Sequence, residues 1–223
     1  MKMRSLEIAA AVSVLAAFVG IAPAEDCGKN VPAILVEIEQ CDVNENRQEL
    51  IGLLRCLWAP AVDLVKDYDD FIKEDTFEKI ENANYKDRLD IIRVLVPLLK
   101  SKDRIIKNEV VAALAYYRYP TTKQLLADYP DSPQKAIFYA ILRYGSSYRW
   151  AIDQLEKLKR GENQGENISI IDWMAYLNLL YRLAEPGSLS YVNELGQSSL
   201  PEEIRARAEL VKARILELHP EVK

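Results

Sequence analysis

Histidine is nearly absent. The chain has one, His219, next to the C-terminus in "LHPEVK". A lone terminal histidine reads as a solvated end, and without another the sequence argues against triads of the Ser-His-Asp or Cys-His kind. No CxxC pair and no His/Cys cluster with zinc spacing occurs. Ser188 in "EPGSLS" lacks the glycines that flank the serine of a nucleophile elbow. Only 8 glycines are present, and none form a phosphate-cradling loop. Alternating β-branched segments bounded by turns are missing, so no sheet is expected. No dense basic patch suggests nucleic acid. The sequence calls for no cofactor and no metal, and it points away from an enzyme.

What is present begins with a leader. Met1 to Arg4 carry positive charge, Ile8 to Gly20 is almost wholly apolar, and "APA" at 22–24 supplies small residues at a cleavage site. The pattern predicts a signal peptide over 1–24, and the run is shorter than the roughly 20 residues of a spanning helix. The charged Glu25 and Asp26 before Cys27 argue against lipidation there. The expected location is periplasmic or secreted, with no membrane span after cleavage.

Charge is uneven along the rest. Residues 25–81 hold 15 acidic and 6 basic side chains, whereas residues 83–223 hold 18 acidic and 21 basic. We read the first part as an acidic solvated face and the second as only mildly basic. Cysteines fall at 27, 41 and 56. In an oxidising compartment one disulfide and one free thiol are expected. "VPAILVEIEQC" (31–41) and "NRQELIGLLRCLW" (46–58) read as two helices joined tightly, with Cys41 near the link and Cys56 near the open end. Their separation of about 15 Å exceeds the reach of a bridge. Cys27 beside the first helix start makes Cys27–Cys56 the expected pair.

Helical spacing recurs almost everywhere, as in Ile106, Val110, Ala113 and Tyr117. Thr121 with Gln124, and Ser199 with Glu202, have capping-box spacing. Asp103 is placed to cap 104–118, and Ser132 before Pro133 reads as an N-cap and first helical residue. Pro97 predicts a kink or a nearby bend. The helix pairs are about 103–128, 133–160 and 168–196, with a closing helix at 200–218. This predicts an all-α fold of stacked antiparallel hairpins, a short right-handed α-solenoid. The divisions are the leader, an acidic N-terminal hairpin or cap over 25–82, and a repeat region over 83–223.

"DRIIKNEVVAAL" (103–114) resembles the first helix of a HEAT repeat, through Asp103, Ile106, Lys107, Val110, Ala113 and Leu114. "PEEIRARAELV" (201–211) resembles it again through Ile204, Arg205 and Ala208, whereas "SPQKAIFYAIL" lacks the acid–basic pair. The resemblance to HEAT-like, armadillo-type repeats covers about residues 85–218. It implies a curved helical stack that acts as a scaffold for proteins or peptides, with no active site common to the family.

Three stretches pair arginine with aromatics before a proline or glycine: "YYRYP" (116–120), "LRYGSSYRW" (142–150) and "LYRLAEPG" (180–187). The first reading places Arg118, Arg143 and Arg182 in last helical turns, where a cation meets the negative end of the dipole. The second is a ladder of Arg118, Tyr119, Arg143, Tyr144, Tyr148, Arg149 and Arg182 along one edge, binding an acidic or aromatic peptide. "DYDDFIKEDTFE" (67–78) partly matches a calcium loop, but Phe71 and Ile72 stand where a ligand and a glycine belong, so it reads as helix. Asn167-Ile-Ser169 reads as a loop or a glycosylation acceptor. The expected function is an exported scaffold that binds a protein or peptide. The alternatives are a carboxylate-based envelope glycan hydrolase, needing only two suitably placed acids, or a structural subunit of an envelope assembly.

Overall fold

The computed structural model describes residues 30–42, 45–64, 88–161 and 170–222. The leader, Cys27, the acidic stretch 67–78 and the 167–169 triplet lie outside these residues. Ten α-helices follow in order: α1 (Val31–Gln40), α2 (Arg47–Leu64), α3 (Arg88–Leu98), α4 (Arg104–Tyr116) and α5 (Thr122–Leu125), then α6 (Pro133–Ile141), α7 (Ser147–Lys159), α8 (Ile170–Leu183), α9 (Leu189–Gly196) and α10 (Glu202–Leu218). The described residues contain no strand, as the missing alternation predicts, and no helix among them is long and apolar enough to cross a membrane.

Local chemistry sets several boundaries. Asn30 accepts from the Ala33 N–H and starts α1. Asp103 accepts from the N–H groups of Ile105 and Ile106 and starts α4. Ser132 accepts from the Lys135 N–H, with Pro133 as first residue of α6. Such caps are each worth about 1 kcal/mol. Neither capping box forms. Thr121 makes no side-chain cap bond at the single turn of α5, and α10 starts behind Pro201, beyond the reach of Ser199. Pro97 stands in the last turn of α3, which ends at Leu98, so the bend is a termination.

Packing follows a simple rule. Each even-numbered helix lies against the next, α2 on α4, α4 on α6, α6 on α8 and α8 on α10. The closest consecutive pairs include α1 with α2, α3 with α4, α7 with α8 and α9 with α10. This pairing is offset by one helix from the expected pairs 133–160 and 168–196. The middle even helices are buried on every side: Glu109–Tyr116 of α4, Lys135–Ile141 of α6 and Ala175–Leu180 of α8 are unbroken buried runs. Ala112, Ala113, Ala115, Ala136 and Ala140 let neighbouring backbones come close. The helix α10 buries only the stripe Ile204, Ala208, Val211 and Ile215, one face of an amphipathic helix.

Two polar networks, each holding one buried charged side chain, join these helices. Glu109, on the inward face of α4, accepts from Arg55 Nε at 2.9 Å and from Trp58 Nε1 at 3.0 Å, both on α2. Lys135 is only 2% exposed and donates to the Tyr129 carbonyl at 2.9 Å and to Asp131 Oδ1 at 2.9 Å. Asp131 also accepts from Trp150 Nε1 and Gln154 Nε2, each at 3.0 Å, so the link before α6 is clamped onto α7. Asp131 stands one residue before the stretch "SPQKAIFYAIL", and Lys135 lies within it. Asp131 and Lys135 have the same spacing of four as Asp103 and Lys107.

Two carboxylates, Asp131 and Asp103, tie stability to pH. Burial opposes ionisation of Asp131, but the hydrogen bonds from Lys135 and Trp150 and the charges of Lys135 and Lys157 outweigh it and hold the carboxyl below its ordinary range. Asp103 is held low chiefly by the hydrogen bond from Arg47, which joins the start of α2 to the start of α4. A lowered carboxylate contributes stability that is complete above the ordinary pKa of about 4 and lost as pH falls through its folded value. Melting midpoints should therefore fall steeply below ~pH 4, and Asp131→Asn should be less stable at neutral pH and flatter below ~pH 4. An unchanged acid slope in that variant would refute the assignment.

Candidate functional site

The three arginine–aromatic stretches turn out to be helix ends of a particular kind. Arg118 and Arg143 lie one residue past their C-caps with left-handed backbones, at φ 57° and 44°. At the first, the Arg118 N–H donates to the Ala115 carbonyl and the Tyr119 N–H to the Leu114 carbonyl, each at 2.9 Å. At the second, Arg143 donates to Ala140 and Tyr144 to Tyr139, each at 3.1 Å. This double bond pattern is the Schellman motif, whose left-handed residue is usually glycine. Its usual hydrophobic clasp is present too, with the rings of Tyr139 and Tyr144 5.6 Å apart. The third turn uses Ala184, at φ 49°, with the single Ala184 N–H to Leu180 carbonyl bond at 2.8 Å.

The last-turn placement thus holds for Arg182 alone, in the last turn of α8. Arg118 and Arg143 are beyond the helix, in a conformation that L-residues adopt at a cost of about 1–2 kcal/mol. Burial explains the third case, because the Ala184 methyl is only 2% exposed. It does not explain the other two, since Arg118 is half-exposed and Arg143 exposed. Arg118→Gly should be more stable than Arg118→Ala by up to about 1 kcal/mol, and Arg143→Gly than Arg143→Ala, because both variants lose the side chain and only alanine keeps the backbone cost. Chemical denaturation midpoints of the four variants check this.

Contacts link the turns in succession. Arg118, Pro120, Lys123 and Leu142 line an open cleft of about 270 Å³ between the first turn and the second. Lys123 Nζ lies 5.5 Å from the Tyr144 ring centre. From the second turn to the third, a Cβ built on Gly187 would meet the Tyr148 hydroxyl at 2.5 Å, so only glycine lets that ring lie across its backbone. The Glu185 carboxylate crosses Gly145 in the same way. Arg149 lies over Tyr148, 5.6 Å from its ring centre, and donates to its hydroxyl at 3.1 Å.

The residues named from the sequence therefore have different fates. Arg118 lines the cleft, Arg143 follows Leu142 of its far wall, and Tyr148 and Arg149 stack at the start of α7. Tyr119, Tyr144 and Tyr148 are half-buried and pack against the core, so each is partly structural. Arg182 is half-buried and stands two residues before the left-handed position of its turn. Lys123, Pro120 and Leu142 were missed. Lys123 follows "YYRYPTT" and was legible as a second cation beside Arg118.

Cys41 is a free thiol whose pKa burial, then Glu49 and Asp42, push up. Cys56 is half-buried on α2, and its expected partner Cys27 lies outside the described residues. No protein-family model matches the chain, and neither a curated protein nor a solved structure matches it.

Proposed function

We propose that this chain is an exported helical-repeat protein, a short right-handed α-solenoid of HEAT-like hairpins. It acts by holding a protein or peptide partner against the edge formed by its helix-end turns, without a chemical step. The even-to-even helix packing supports the stack. The linkage of three successive turns carries the binding reading: the shared cleft, Lys123 against Tyr144, and Tyr148 across Gly187. Arginine and tyrosine, which dominate interface energetics, recur along this edge. The leader over 1–24 supports export, and the Cys27–Cys56 pairing belongs to the same proposal.

A photo-crosslinking residue placed at position 143 tests the site in the native compartment. The expected result is one discrete adduct, absent when the probe is at Glu217 on α10. Adducts of equal yield from both positions, or none at 143, would reject the edge as the partner surface. Glycan turnover by the purified protein would replace the scaffold reading with the hydrolase.

A further inference from the structure

We propose that the cleft between the first two turns is a carboxylate subsite for an acidic segment of the partner. This rests on the edge being the partner surface. Among the described residues that line the cleft, Arg118 and Lys123 bring cations and Pro120 and Leu142 apolar walls. That combination suits a glutamate or aspartate side chain, with methylenes on the walls and oxygens toward the cations. At about 270 Å³ and open to solvent, it is smaller than the enclosed sites of drug-sized ligands and has room for an acidic side chain with its flanking backbone.

The geometry also gives the strained arginine a use beyond its contacts within the fold. A strained residue persists where the surrounding structure has a use for it. At Arg118 the strain sets a planar guanidinium at the cleft, and guanidinium grips a carboxylate through two parallel hydrogen bonds. The Tyr144 face restrains Lys123 opposite. One turn further, Arg149 over Tyr148 offers a second cation–aromatic pair for the continuing segment. The chain as a whole carries net charge −5, so this cationic edge is a local feature. Local charge in a concave cleft favours an inserted acidic peptide over a flat anionic membrane.

The test uses the full chain and three fluorescent decapeptides, alternating Glu–Tyr, Gln–Tyr and Lys–Tyr, at about 20 mM salt. Vesicles of phosphatidylglycerol serve as the membrane probe, and hydrogen exchange over 117–123 and 142–149 reports the location. The Glu–Tyr peptide should bind and protect these turns. The Gln–Tyr peptide should bind at least about tenfold more weakly. Arg118→Gly should lose at least about tenfold in Glu–Tyr affinity with a melting midpoint no lower than that of Arg118→Ala, and Lys123→Gln should also weaken it. Equal binding of Gln–Tyr, with protection at the turns, would overturn the carboxylate subsite and leave the edge intact. Protection elsewhere would overturn both. Binding of no peptide, or of vesicles alone, would overturn the acidic segment.

Discussion

Glu109→Ala is expected to destabilise the protein by about 3–5 kcal/mol, because it breaks a buried ion pair from one side. Glu109 is 8% exposed and takes the Arg55 guanidinium and the Trp58 indole N–H together. Alanine would leave both donors facing an apolar contact between α2 and α4. The loss would consume much of a typical stability of about 5–15 kcal/mol. Replacing both Arg55 and Glu109 with leucine should cost less than Glu109→Ala alone, since no charge is then stranded. Urea midpoints of the two variants measure the difference. A loss below about 1 kcal/mol for the single variant would mean that the pair behaves as a surface bridge.

Phe138→Ala should have a comparable effect, about 3–5 kcal/mol. Phe138 is 1% exposed at the middle of α6. Its ring meets Trp58 edge-on with centres 5.8 Å apart, and Tyr129 with centres 5.7 Å apart. It therefore joins α2, the link before α6 and α6 itself. Phe138→Leu should cost clearly less, because most of the volume is kept. The comparison of thermal midpoints checks this. Equal losses for alanine and leucine would show that ring geometry rather than filled volume governs the site.

These two positions also show what the sequence could reveal. Helices were legible because apolar residues recur every three or four positions, and the start points of α1, α4 and α6 follow from Val31, Asp103 and the Ser132-Pro133 step. The two capping boxes misled because spacing alone does not ensure geometry: α5 is only one turn long, and Pro201 starts α10 after Ser199 has passed. Glu109 stands three residues after Ile106, but periodicity does not say that a carboxylate is buried there or which helix supplies its partner. Arg55 lies 54 positions away in the chain. Lys135 was similarly hidden, because its partners Asp131 and the Tyr129 carbonyl lie before the helix that carries it.

The turn edge was half legible. Arginine, aromatic and glycine or proline in a row announced three helix ends. Left-handed arginine was not legible, because composition at helix ends predicts glycine or asparagine there. The cleft depends on two turns lying side by side, a relation between residues 118–123 and 142 that no local window contains. Reading Arg118 and Arg143 as dipole partners missed that both stand outside their helices.

The most direct test of the account is one double variant, Arg118→Gly with Arg143→Gly, measured in two ways on the same sample. The account predicts a melting midpoint at or above that of the double alanine variant together with loss of binding to the Glu–Tyr peptide. A lower midpoint with binding intact would contradict it, and would return both arginines to structural residues at the ends of α4 and α6.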